Sequence, residues 1–261
     1  MLDIPSTCKS PQTMLGAIAK TYYAEKMNIP KHNLKVVSIM PCVAKKAESA
    51  RPELSKEDEL HVDYVLSTRE FGHMIKEAGI DFASLDDSEF DSILGESTGA
   101  AAIFGTTGGV IEAAVRTAYE LITGETLPRI DFDQLRGLEG IREATVNIGG
   151  FDLKIGIAHG LGNARKLLES IKSGEQEFHA IEIMACPGGC IGGGGQPYHH
   201  GDQEVIKKRQ AAIYEIDKSF PRRKSHENEM VKKLYADYLG DPYGKKAHNL
   251  LHTCYTPGQK I

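Results

Sequence analysis

Apolar positions change their period repeatedly along the chain, and each change predicts a new element. Met14, Leu15, Ile18 and Tyr22 recur at helical spacing, so they fall on one side of a helix of 3.6 residues per turn. Ser10-Pro11 just before them resembles an N-cap followed by proline at the first helical position, where proline's missing N–H costs nothing. Residues 35–40 (KVVSIM) form a short β-branched run that ends directly at Pro41-Cys42, and residues 64–67 make a second strand candidate. Between them, residues 50–61 are polar and charged and read as solvated loop. A helix capped at Thr68 is expected to run to Glu77 with Phe71, Met74 and Ile75 inward. Residues 79–107 carry little periodicity. A helix is then expected from Val110 to Thr123, stopped by Gly124. Residues 143–148 and 151–158 alternate around Gly149-Gly150, a hairpin signature. Residues 161–172 look helical again, and residues 180–185 (AIEIMA) form a strand that ends at a cysteine. Helices are expected over 203–216 and 226–239, the second with Met230, Val231, Leu234, Tyr235 and Tyr238 on one side.

Strands alternating with helices predict an α/β fold. Soft boundaries fall near 85 and near 219. The 261 residues are 41% apolar and 26% charged, an ordinary globular balance. A net charge of -5 argues against nucleic acid, which calls for a basic face. No apolar run approaches the roughly 20 residues that span a bilayer, and the start has no basic-then-apolar leader; the expected compartment is the cytoplasm. Cysteine occurs at 8, 42, 186, 190 and 254. An odd number without a leader does not read as a disulfide framework, but as metal binding, redox chemistry or buried thiols.

Two of these cysteines share an arrangement. A strand runs into Met40-Pro41-Cys42, and another into Met184-Ala185-Cys186. Ligands of open α/β sheets bind beyond the carboxyl ends of strands. The second site continues as Cys186-Pro-Gly-Gly-Cys190, then four glycines, Gly192, Gly193, Gly194 and Gly195, and Gln196-Pro197. Glycine lets backbone approach a bulky ligand, and the exposed N–H groups of such a loop donate to an anion or to cluster sulfur. No Gly-Lys-Ser/Thr closes it, so it is not a P-loop. Spacing alone leaves three readings: an iron–sulfur site, a Cys2His2 zinc site with His199 and His200, and a tight turn with buried thiols. At the first site, Lys45 lies three residues after Cys42, close enough to offset anionic charge at a thiolate-bound centre; a surface lysine is the plainer alternative. Glu48 reads as a local pairing residue.

Together the two stretches resemble the second and third signature motifs of iron-only (FeFe) hydrogenases, Met-Pro-Cys-x-x-Lys-x-x-Glu at 40–48 and Met-Ala-Cys-Pro-Gly-Gly-Cys-x-x-Gly-Gly-Gly-Gln-Pro at 184–197. Ser10-Pro11-Gln12, TGAAAIFG (98–105) and the Arg-Arg-Lys-Ser-His-Glu-Asn run at 222–228 extend the likeness over essentially the whole chain. The resemblance implies an H-cluster: a 4Fe–4S cubane joined through one cysteine to a di-iron unit with carbon monoxide, cyanide and a bridging dithiolate amine. By motif, Cys42 and Cys186 resemble cubane ligands and Cys190 the ligand that bridges cubane and di-iron unit. Gly193 and Gly194 belong to the cofactor-binding loop. Lys45 resembles the residue that hydrogen-bonds a cyanide. Met40, Met184 and Phe104 resemble the apolar shell, with ordinary core packing as the alternative. Gln12 lies near that shell, and Ser6 matches a serine on the family's proton route.

The resemblance further implies two lobes of mainly parallel sheet flanked by helices, with a helical C-terminal tail: residues 1–85 as an incomplete first lobe, 86–219 as the second, 220–261 as a small-subunit-like tail. The family's first motif, Thr-Ser-Cys-Cys-Pro-x-Trp, supplies the fourth cubane ligand and a proton-relay cysteine and lies upstream of the Ser6 position; these residues do not contain it. The expectation is a truncated or split chain, inactive alone, since Cys8 falls at a non-ligand position and Cys254 reads as a packing residue. Implied partners are a ferredoxin-like electron donor or an upstream Fe–S domain, hydrogenase maturation factors, and a chain that supplies the missing motif; neither nucleic acid nor a membrane is expected. Rival readings are a non-catalytic iron–sulfur assembly relative and a hydrogen sensor.

Overall fold

In the computed structural model, which describes residues 4–54, 60–91 and 94–255, the strands that lead to the cysteines belong to two different sheets. β1 (Val37–Met40) pairs in parallel with β2 (Tyr64–Ser67), Val37 opposite Tyr64 and Met40 opposite Ser67. The antiparallel hairpin β3 (Ile141–Ile148) and β4 (Phe151–His159) is extended by β5 (Ala180–Met184), parallel to β4. The chain divides into two units, residues 1–94 with 230–261, and residues 95–229.

In the first unit, α1 (Pro11–Ile18) starts at the proline, passes through a π-helical turn (Ala19–Tyr23) and ends as α2 (Ala24–Lys26). α3 (Ala44–Ser49) lies in the crossover between β1 and β2, a connection that parallel strands require. α4 (Thr68–Glu77) follows β2 directly. Its cap is Ser67, not the expected Thr68: Ser67 Oγ accepts the Glu70 N–H at 3.2 Å, and the Glu70 carboxylate accepts the Ser67 N–H at 2.7 Å, a reciprocal capping box. Met74, expected inward, is exposed. The 50–61 stretch is not solvated throughout, since Leu54 and His61 are buried; residues 55–59 of that expectation lie outside the described residues. The core joins Ile18 and Tyr22 to Leu234, Leu239, Ala247 and Leu250. The late elements α9 (Glu229–Leu234), the π-helical turn Tyr235–Leu239 and α10 (Lys245–Leu251) therefore supply most of this core. The expected stripe is only partly inward, because Val231 is exposed.

The second unit holds α5 (Gly99–Ile103), α6 (Gly109–Thr123), the three-stranded sheet, α7 (Leu161–Ser173) and α8 (Gln203–Ser219). The hairpin turn has positive φ at both Gly149 and Gly150, +59° and +90°, as a two-residue type I′ connection demands. Val115, Leu135, Val146, Ile148, Ile155 and Ile157 form the main core; Ala100, Ile103, Ala113 and Tyr214 form a second between α5, α6 and α8. Between these cores runs a buried charge network. Arg116 and Asp217 are wholly buried, with the guanidinium 2.9 and 2.8 Å from the two carboxylate oxygens. Its other N–H groups reach Glu112, the Ile130 carbonyl and the Arg223 carbonyl, so all five donors are used. Arg136 adds a second guanidinium to Glu112.

The two units divide the chain at 94/95 and 229/230, for identifiable reasons. Leu94 packs on the first unit's core. The 222–228 run is a clasp on the second unit: Arg223 pairs with Asp217 and Asp131, Lys224 with Glu120 at 2.8 Å, and Asn228 Nδ2 donates to the Glu96 carbonyl at 3.1 Å.

That clasp has a pH signature. Glu120 accepts the Leu127 N–H and faces Lys224 and His226, and these hold its pKa down at about 2. A carboxylate depressed in the folded state stabilises fully above its unfolded value, and the contribution is lost as pH falls through the folded value. The window here runs from about 4.5, the ordinary glutamate value, to about 2. Thermal unfolding followed by circular dichroism should show the wild type losing more melting temperature than Glu120→Gln across that window; equal losses would remove Glu120 from the account.

Candidate functional site

β1 delivers the first cysteine. Met40, its last residue, is partly buried, and Cys42 follows two residues later, just before α3, as a free, half-buried thiol. The surrounding polar groups are tied together. Gln12, buried on α1, accepts a hydrogen bond from Ser38 Oγ at 2.8 Å and donates to the Lys45 carbonyl at 3.2 Å. It thereby braces β1 against α3, and both ends of its amide are in use. Lys45 ion-pairs with Glu48, which also accepts from Ser10 Oγ and, at 3.0 Å, from Thr13 Oγ1. Burial pushes the Glu48 carboxyl up, but the Lys45 ammonium and the two hydroxyls outweigh it and hold the pKa below the ordinary value. Glu48 is thus a local pairing residue, and the ammonium of Lys45 is directed by it. Ser6 is exposed; its Oγ accepts the Cys8 N–H at 3.3 Å and its carbonyl accepts from Tyr255 at 2.6 Å. Cys8 is exposed, with Sγ 4.0 Å from His252 Nδ1. Cys254, expected to be a packing residue, is exposed as well, because the chain after α10 runs along the 6–8 segment at the surface, with Thr253 N–H bonded to the Thr7 carbonyl.

In the second unit, β5 ends at Met184, partly buried, and the turn from Cys186 to Cys190 follows. Both thiols are half-buried. The turn closes on itself through Gly189 N–H to the Cys186 carbonyl at 3.0 Å. It packs against the 104–109 loop: Thr107 N–H meets the Gly188 carbonyl at 3.0 Å, and Ile191 N–H meets the Gly105 carbonyl at 2.9 Å. Gly188 and Gly189 have φ of +77° and +96°, and a Cβ on Gly189 would stand 2.8 Å from the Thr107 nitrogen. Only glycine lets the two loops come this close. Phe104, at the end of α5, packs on the second core, so its packing reading holds. Gly193 is buried and Gly194 exposed; Arg209 of α8 grips the loop by donating to the Ile191 and Pro197 carbonyls, each at 2.8 Å.

Three supporting residues escaped sequence reasoning. Glu182 of β5 accepts the Gly108 and Ile111 N–H groups at 2.6 and 2.9 Å, capping α6 and fixing the 104–109 loop; burial raises its pKa. Gln210 donates to Thr106 Oγ1 at 2.9 Å. His159 reaches the cysteine turn itself. Glu182 and His159 carry only the signal of a polar residue within an apolar strand or at its end, and Gln210, in α8, carries none.

The second unit fits a thiolate-bound group: two half-buried soft donors on a glycine turn whose Cys186 and Gly188 carbonyls accept the Gly189 and Thr107 N–H groups. Among the described residues no three His, Cys, Asp or Glu side chains come together as a metal set. The motif cysteines number three, whereas a cubane normally takes four thiolates. Among the described residues, no helix is long and apolar enough to cross a membrane.

Comparison with known proteins points the same way. Residues 1–194 match the model of the iron only hydrogenase large subunit, C-terminal domain, and residues 203–258 that of the iron hydrogenase small subunit. The NADP-reducing hydrogenase subunit HndD of Solidesulfovibrio fructosivorans is 59% identical over all of this chain and 44% of its own length. The periplasmic Fe hydrogenase large subunit of Nitratidesulfovibrio vulgaris is 52% identical over 80% of this chain and 50% of its own. An FeFe-hydrogenase of Chlamydomonas reinhardtii superposes with a TM-score of 0.82 at 42% identity, over 96% of this chain and 70% of that one. A cytosolic Fe–S cluster assembly factor of Xenopus tropicalis aligns at 29% over 100% of this chain and 56% of its own. The chain spans about half the length of the curated relatives it matches, or less.

Proposed function

The chain belongs to the iron-only hydrogenase family, and from that premise we propose that it is the part of an FeFe hydrogenase that ligates and encloses an H-cluster. The observation that carries the reading is the Cys186–Cys190 turn, two half-buried thiols on a glycine turn locked to the 104–109 loop, in a chain 59% identical to a hydrogenase subunit. Bound, the H-cluster supplies the interconversion of two protons and two electrons with dihydrogen. Cys42, Cys186 and Cys190 would supply thiolate ligands to it. Lys45, aimed by Glu48, donates a hydrogen bond to an anionic ligand. Met40, Met184 and Phe104 exclude water, which strengthens that bond. Gly193 and Gly194 let backbone approach the cluster. Ser6 holds a hydroxyl proton on the route to bulk water: its Oγ accepts the Cys8 N–H, so its own hydrogen stays available to donate. Gln12 acts through Lys45, whose backbone it holds. Electrons come from a ferredoxin-like donor or an Fe–S domain elsewhere in the polypeptide, maturation factors install the di-iron unit, and the compartment is the cytoplasm.

A second reading, a non-catalytic Fe–S assembly protein, draws on the 29% alignment. One experiment separates the two. The region of the Solidesulfovibrio relative that precedes the matched part is joined to this chain, and the chimera is co-produced with the hydrogenase maturation proteins. Infrared bands of bound carbon monoxide and cyanide, with hydrogen evolved from reduced methyl viologen, are expected. Bound iron with neither signal would favour the assembly reading.

A further inference from the structure

The cysteine turn is gripped at its midpoint by a residue that belongs to neither motif. Gly188 stands two residues from each thiol. Its N–H donates to His159 Nδ1 at 3.1 Å, and the opposite ring nitrogen, Nε2, lies 3.0 Å from the Leu138 carbonyl. A backbone N–H can only donate and a carbonyl can only accept, so the ring is satisfied as the neutral tautomer protonated at Nε2. His159 is buried and ends β4, directly opposite Met184 of β5; the next residue, Gly160, donates its N–H to the Met184 carbonyl at 2.8 Å. One strand end thus holds both the strand that delivers Cys186 and the turn that presents Cys190. A turn with two consecutive glycines at positive φ has little stiffness of its own. Its shape comes from the bonds to its backbone, and among them the His159 bond is the one made by a side chain to the central peptide.

We propose that His159 is a positioning residue for the iron-binding thiols: by fixing the Gly188 peptide, it sets the spacing and direction of the Cys186 and Cys190 side chains. This rests on reading those cysteines as cluster ligands. Groups that orient metal ligands from behind contribute about 10- to 100-fold in metal affinity, and a preset ligand pair binds without first being ordered.

The test compares the chimera described above with its His159→Phe, His159→Gln and His159→Asn variants, each reconstituted anaerobically with ferrous iron and sulfide. Phenylalanine removes the acceptor, and glutamine displaces it by one methylene while keeping polarity. Asparagine keeps an oxygen close to the Nδ1 position. The Phe and Gln variants are expected to need about tenfold more iron for half-filling, and the paramagnetic resonance spectrum and midpoint potential of the reduced cluster should change. Asparagine should restore all three. A purely structural role would lower the melting temperature yet leave the spectrum and potential alone. If His159→Phe does not fold, His159→Gln carries the comparison. Iron uptake, spectrum and potential unchanged in the variant that folds would overturn this inference alone. Unsubstituted chimera with reduced thiols that takes up no iron would overturn it together with the cluster reading.

Discussion

Produced as this 261-residue polypeptide alongside the hydrogenase maturation proteins, the chain is expected to evolve no hydrogen above the buffer blank, while the chimera described above should evolve it. The reason is a ligand count. A cubane is held by four thiolates; the second and third motifs bring Cys42, Cys186 and Cys190. Cys8 is no ready substitute, since its sulfur sits at the surface beside His252. Nor do these residues include the family's proton-relay cysteine, and general acid–base steps depend on a donor within hydrogen-bond reach of the reacting atom. Gas chromatography of the headspace with reduced methyl viologen as donor reads the outcome. Robust hydrogen from the 261-residue polypeptide would show that the missing-ligand argument is wrong.

Arg116→Met should be the most damaging single change away from the cysteines. It deletes a wholly buried guanidinium and leaves Asp217 and Glu112, both fully buried, without their central partner. Removing one member of a buried ion pair costs about 3–5 kcal/mol, because the stranded carboxylate keeps its desolvation penalty and loses its compensation. Arg136 and Arg223 still face Glu112 and Asp217, which places the loss toward the lower end of that range. The consequence extends to the site: α6 carries Arg116 and is capped by Glu182, which also holds the loop against which the cysteine turn packs. Urea unfolding followed by circular dichroism measures the loss. A change under about 1 kcal/mol would mean that the network is not the keystone of this unit.

Much of the fold was legible because it depends on local patterns. β2, α6 with its stop at Gly124, and the Gly149-Gly150 hairpin stand where periodicity and glycine chemistry put them. The misses share a physical cause. His61 and Leu54 lie in polar sequence yet are buried, and Met74 is apolar yet exposed; burial is decided by what packs from afar, and no local window contains that. Nor does any local window show the partners of the 222–228 run, since Asp131, Asp217, Glu120 and Glu96 are distributed through its unit.

By itself the sequence determined the element types, the chemistry of the two cysteine stretches and the family they resemble, because propensity, period and motif spacing are properties of neighbours along the chain. Tertiary structure alone decided what stands behind those stretches: Gln12 bracing Lys45, Glu48 directing its ammonium, His159 holding Gly188, and Arg116 drawing three acidic and basic segments into one buried cluster. Hydrogen bonds and ion pairs form between groups that are close in space, and their strength depends on the water that packing removes.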